Sequence, residues 1–109
     1  MIVKELVELT HWKSLNPEAI DNPIKGVISG DLLSYILGHG SSNQIWITMQ
    51  THQNVIAIAA LKEFACVILI DDNTVDEAVL ESAKKNLIPV IISPLSAFET
   101  IRSLIQIGL

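Results

Sequence analysis

Several things are scarce in this chain, and each scarcity removes a class of function. It has one cysteine, Cys66, so no disulfide can form within it. It has seven Lys and Arg against twelve Asp and Glu, giving a formal net charge of −5, and Lys84-Lys85 is its one basic pair. Nucleic acids and anionic membranes are held by clustered cations, so neither is expected as a partner. No apolar run approaches the roughly 20 residues of a membrane span. The opening MIVKELVELTHW lacks a basic stretch followed by an apolar one, so no signal peptide is expected and the cytoplasm is the expected compartment. The phosphate-loop pattern GxxxxGK[ST] is absent. His11, His39 and His52 have neither the spacing nor the neighbours of metal ligands, and no motif specifies a cofactor.

What the chain has is apolar material. Half of its 109 residues are hydrophobic and 17% are charged, with a mean hydropathy of +0.45. Disorder is excluded, and one domain is expected across residues 1–109. The apolar excess is high for a small monomer, which points to self-association.

Periodicity organises the chain. Residues 2–9 show the spacing of a short amphipathic helix, and 11–16 that of an edge strand with Trp12, Ser14 and Asn16 on one face. Asn16-Pro17 and Asn22-Pro23 bracket a loop. A brief strand over 25–28 ends at Ser29-Gly30-Asp31, and a short helix is expected over 32–37. Gly38 to Asn43 reads as a C-cap and turn. Residues 44–63 read as a strand, a polar knuckle (Gln50 to Asn54) and an apolar helix. ACVILI at 65–70 is a continuous apolar run, as in a strand buried on both faces. Thr74 with Glu77 and Ser96 with Glu99 have capping-box spacing, opening helices to about 86 and 107, with a strand at 88–92 between them. Strand and helix alternate four times from residue 25. The expected fold is α/β, a single domain with a mainly parallel sheet of four to five strands flanked by helices.

In such sheets ligands bind beyond the carboxyl ends of the strands, where helix N-termini converge. Four polar junctions should meet there: Ser29-Gly30-Asp31, Gln50-Thr51-His52, Asp71-Asp72-Asn73-Thr74 and Ser93-Pro94-Leu95-Ser96. Capping and turn formation account for most of these residues. At the knuckle Thr51 would suffice as a cap, which leaves Gln50, His52 and Asn54 beyond structural need. His52 is expected in the first helical turn, facing the positive end of the dipole. The candidate ligand-binding residues are therefore Ser29, Gly30, Asp31, Gln50, Thr51, His52 and Asn54. No nucleophile, base and orienting group fall together, so no catalytic residue is expected. Cys66 reads as a small core residue. The helices at 32–37 and 53–63 are apolar on nearly every side, and a helix of that kind needs cover all round. A second copy in a two-fold homodimer would supply it.

The segment 26–104 resembles the DRTGG domain, a small α/β module related to the N-terminal domain of HPr kinase/phosphorylase. The resemblance lies in GVISGDLLSYIL, WITMQTHQNVIAIAAL, ACVILI and IPVIISPLSAFET, in that order. The signature residues themselves differ. Thr51-His52 stand where the family has Asp-Arg, and Ile70-Asp71-Asp72 where it has Thr-Gly-Gly. The QTHxN form resembles stand-alone members encoded beside iron-only hydrogenase and redox-signalling genes. The resemblance implies a regulatory accessory module with a hydrogenase or signalling protein as partner. Kinase activity is not implied, because the phosphate loop is missing.

Three functions stay open at this point. A non-catalytic regulatory domain would bind a small phosphorylated or nucleotide-like ligand at the knuckle and self-associate. A pure interaction module would dock a protein partner and bind nothing small. A small hydrolase would use Asp31 and His52.

Overall fold

A computed structural model describes residues 1–109. It contains α1 (Val3–Thr10), β1 (Lys13–Ser14), β2 (Gly26–Ser29), α2 (Leu33–His39), β3 (Gln44–Thr48), α3 (Gln53–Lys62), β4 (Cys66–Leu69), α4 (Glu77–Lys85), β5 (Val90–Ile92) and α5 (Ala97–Gln106). The sheet order is β1-β5-β4-β3-β2. β2 to β5 run parallel, and only β1 is antiparallel, pairing Lys13 with Ile92 and Ser14 with Ile91. The expected α/β architecture is present with five strands.

Alternation along the central strands divides the core. Ile45, Ile47, Cys66, Ile68 and Ile91 point to the face covered by α1 and α5, where Val3, Leu6 and Leu104 meet them. Trp46, Val67, Leu69 and Val90 point to the other face, against Ile36, Ile56, Ala59 and Ala83 of α2, α3 and α4. Both faces of β3 and β4 are buried, which is why these strands read as unbroken apolar runs.

The helix ends follow local chemistry with two departures from expectation. Ser96 caps α5, its hydroxyl accepting from the Glu99 amide at 3.2 Å, but the Glu99 carboxylate lies 3.7 Å from Arg102 and does not reach back. α4 is capped by Asp76, whose Oδ1 accepts from the Val79 amide at 2.9 Å, and not by a Thr74–Glu77 box. Asp76 lies two residues closer to the first turn, and its extended backbone (φ −74°, ψ 173°) aims the carboxylate at that amide.

α3 is not covered on all sides. Val55, Ile56 and Ala59 are buried, while Ala57 and Leu61 face solvent, Leu61 being 71% exposed. Small alanines account for much of its apolar appearance. Large exposed side chains concentrate on and beside α2, at Leu32, Tyr35 and Leu37.

Cys66 lies fully buried in β4, and burial pushes its thiol pKa up from 9.0 to about 12. The unfolded chain then releases this proton at lower pH than the folded one. Stability from this group is constant below about pH 9 and falls as pH rises from there toward 12, by at most about 1.4 kcal/mol per pH unit. Urea titrations should show this alkaline loss reduced in Cys66→Ala, measured relative to that variant's own stability at neutral pH. Alkylating reagents should modify the thiol only as fast as the protein opens.

Candidate functional site

The knuckle is built by a polar latch between the ends of β2 and β3. Asp31 follows β2, and its Oδ1 accepts from the Thr48 hydroxyl at 2.7 Å and from the Met49 amide at 2.8 Å. Thr48 Oγ1 in turn accepts from the Gln50 amide at 3.1 Å, and Gln50 Nε2 donates to the Asp31 carbonyl at 3.3 Å. Gly30 holds φ +150°, a conformation that L side chains rarely adopt, and its carbonyl accepts from Trp46 Nε1 at 2.9 Å. Ser29 ends β2 beside Ile47. Ser29, Gly30 and Asp31 therefore brace the knuckle from below.

Replacing Asp31 by Ala strands the Thr48 hydroxyl, which is buried, together with the Met49 amide. The expected cost is about 1.5–3 kcal/mol, because both bonds end on a charged acceptor. It should appear as a lower urea midpoint at unchanged slope, with a smaller loss in Asp31→Asn.

The helix start differs from expectation. The N-cap of α3 is His52 and not Thr51, and its Nδ1 accepts from the Asn54 amide at 3.1 Å. That bond requires a neutral ring with its hydrogen on Nε2. The ring thereby presents one donor, Nε2–H, to anything outside. Thr51 is left ahead of the helix, half-buried, and Asn54 contributes its backbone to the cap while its side chain stays outside the cleft.

A cleft of about 510 Å³ opens between Gln50, Thr51, His52 and Gln53 on one side and Asp76, Ala78 and Val79 on the other. The N-termini of α3 and α4 thus flank one space. The first turn of α3 contains no acidic residue, so the positive end of its dipole is uncompensated, whereas α4 carries Asp76 and Glu77 there. Asp76 uses Oδ1 for capping and leaves Oδ2 without a protein partner. The surface combines amide donors, an imidazole donor and one carboxylate acceptor, a mixture suited to a ligand with an anionic part and hydroxyl or amine groups.

Of the seven candidate residues, Gln50, Thr51 and His52 line this cleft, and Ser29, Gly30, Asp31 and Asn54 do not. The four junctions do not close into one crevice. They join in pairs: the first two through Asp31, and the other two through the Asp71 amide on the Leu95 carbonyl (2.8 Å) and the Asp72 amide on the Ser93 carbonyl (3.0 Å). Sequence reading missed Gln53 and Asp76 as lining residues. The signal for Asp76 was its place immediately before a helical period. Asp31 and His52 share no hydrogen bond, since Thr48 and Met49 occupy the one and Asn54 the other.

Residues 18–107 match the model of the DRTGG domain. Among solved structures, the chain is similar to the crystal structure of the CBS and DRTGG domains of the regulatory region of Clostridium perfringens pyrophosphatase, complexed with activator, diadenosine tetraphosphate. The identity is 20% and the TM-score 0.78, with 96% of this chain and 46% of that one covered. At that identity the likeness is one of fold, and the chain spans about half the length of that structure. A comparison with curated proteins gives no match.

Proposed function

We propose that this chain, which belongs to the DRTGG domain family, is a non-catalytic regulatory module that binds a small phosphorylated or nucleotide-like ligand at its knuckle. One observation carries the reading: the cleft of about 510 Å³ flanked by the N-termini of α3 and α4, with Gln50, Thr51 and His52 on its wall. Backbone amides of the uncompensated α3 end would receive phosphate oxygens. His52 Nε2–H and the Gln50 amide would select among ligands, and the free oxygen of Asp76 would accept from a ribose hydroxyl or amino group. The likeness in fold to a regulatory region solved with a dinucleotide activator supports the ligand class. Ser29, Gly30, Asp31 and Asn54 belong to the same proposal as supports of the wall. A thermal-shift panel of nucleotides and phosphorylated metabolites tests it. The expected result is a stabilising ligand whose effect disappears in a Gln50→Ala, His52→Ala double variant that still folds. A panel without such a ligand would remove the reading.

A second reading is favoured by a specific observation, the exposure of Leu32 (68%) at the N-cap of α2, of Tyr35 and Leu37 on it, and of Met49 beside the latch. These side chains suit self-association, or docking on a protein such as a hydrogenase or signalling partner. Gln50 is common to the cleft and to the latch at the base of α2, so ligand and assembly could influence one another. Sedimentation at micromolar concentration should show a dimer that Leu32→Glu dissociates. A wild-type monomer contradicts the dimer, and co-purification with a partner would then favour docking.

A further inference from the structure

A second cleft, of about 440 Å³, lies at the other end of the sheet, where the strands begin. Asn22 and Asn43 reach it ahead of β2 and β3, Glu63 ahead of β4 and Asn86 ahead of β5, over an apolar floor that includes Phe64 and Ile88.

Three backbone positions on its wall are conformationally costly. Asn43 (φ +65°), Glu63 (φ +56°) and Leu87 (φ +56°) are all left-handed, the region that favours glycine. Glu63 and Leu87 sit just past the ends of α3 and α4. In each case paired reverse hydrogen bonds close the helix, Phe64 to Ala59 with Glu63 to Ala60, and Ile88 to Ala83 with Leu87 to Lys84. α5 ends the same way, with Gly108 at the equivalent position (φ +107°). Where glycine would be easier, side chains are present, and they line one space.

The cleft offers free acceptors, beside the unpaired Asn43 side-chain amide, which is both donor and acceptor. Asn22 Nδ2 donates to the Ala65 carbonyl at 3.0 Å and Asn86 Nδ2 to the Ser82 carbonyl at 2.8 Å, which fixes both amides and leaves both oxygens without protein partners. The Glu63 carboxylate has no ion pair, and no Lys or Arg lines the cleft. α3 and α4 both end at its rim, where Lys62, and Lys84 with Lys85, offset the negative ends of their dipoles, so Glu63 is the charge that faces the cleft. Two free amide oxygens and the one charged side chain of the lining, a carboxylate, suit a group that donates and carries positive charge.

We propose that this cleft binds a small molecule bearing a guanidinium or primary ammonium group, with Glu63 as counter-ion and the oxygens of Asn22 and Asn86 as acceptors. Guanidinium and ammonium are donor-only, and the volume is that of a small-molecule site. The site is separate from the knuckle, so it stands or falls independently of the function proposed above.

Agmatine is the probe, followed by amide and side-chain NMR on the full chain, with uncharged 1,4-butanediol as the control. The expected result is a saturable shift confined to Asn22, Asn43, Glu63, Asn86 and Leu87, absent with the diol. Glu63→Gln and Glu63→Gly should each weaken it by about tenfold or more, while Glu8→Gln on α1 leaves it unchanged. Glu63→Gly separates binding from folding, since relief of the left-handed strain should leave its Tm at or above that of the parent. Shifts spread over the acidic surface and equal in Glu63→Gln, or no shift at millimolar agmatine, would overturn the proposal.

Discussion

Replacing Asn16 by Ala is expected to destabilise the protein by about 2–4 kcal/mol, although the residue touches neither cleft. Asn16 is 2% exposed. Its Nδ2 donates to the Ile88 carbonyl at 2.8 Å, and its Oδ1 accepts from the Val90 amide at 2.9 Å. β1 has two paired residues before Pro17 turns the chain away, and the Asn16 side chain continues the ladder along β5 where the backbone has left. Ala removes both partners at once, leaving a carbonyl and an amide buried and unsatisfied, at about 1–3 kcal/mol each. The domain's total stability should be on the order of 5–15 kcal/mol, so the loss is a large fraction of it. Tm should fall by more than about 10 °C at this chain length. Asn16→Asp distinguishes hydrogen bonding from packing. It keeps the shape and the acceptor for Val90 but sets a carboxylate against the Ile88 carbonyl, and should be at least as damaging at neutral pH. Urea melts of both variants, with exchange of the Val90 amide as a local reporter, would decide. A cost below about 1 kcal/mol for Asn16→Ala would mean that water replaces the side chain at the edge.

Asn16 also marks what a sequence can disclose. Its place on an edge strand followed by a turn was legible, because Asn-Pro is a local signal. Its bonds to residues more than seventy positions away were not. The same division runs through the fold. ACVILI and the strand entering the knuckle were readable because a strand buried on both faces must be apolar without interruption. The caps were half readable. Thr51 and His52 both carry acceptors one residue apart, as Thr74 and Asp76 do two apart, and the backbone path off the sheet decides which one faces the helix. The pairing of the four junctions two by two depends on bonds between distant loops, such as Asp31 to Thr48 and Asp71 to Leu95, which no periodicity encodes.

The signature position is the most instructive difference. Asp71 and Asp72 stand where the DRTGG family's resemblance places two glycines, and both adopt left-handed backbone, φ +54° and +58°. That is the region glycine enters most easily. Asp tolerates that region better than most residues, which is how this chain forms the turn with side chains at both positions. On an extended chain the two carboxylates would point apart, and the turn is not extended.

Trp46 is where the largest single loss is expected. It is fully buried on the face covered by α2 to α4, edge-on to Phe64 with ring centroids 5.9 Å apart. Truncation to Ala should cost about 3–5 kcal/mol, combining lost apolar burial with a cavity that rigid neighbours cannot fill. Those neighbours have little room to move. A methyl group at Gly40 would already lie 2.5 Å from the Phe64 ring, so the elements around Phe64 are packed to contact. The more informative variant is Trp46→Phe, which keeps most of the volume but deletes the indole N–H that holds the Gly30 carbonyl. If packing alone matters, Phe should cost little more than the buried area it gives up. If the bond to Gly30 holds the strand end in place, a further loss of about 1–2 kcal/mol is expected. Hydrogen exchange in native buffer separates the two. Loss of the anchor should accelerate Gly30 and Met49, the amides of the latch beneath the knuckle cleft, while Val90 keeps its protection once the global loss is subtracted. Uniform acceleration across the sheet would assign Trp46 to the core alone. Selective acceleration would show that the wall formed by Gln50, Thr51 and His52 is held in shape from inside the core, through one indole.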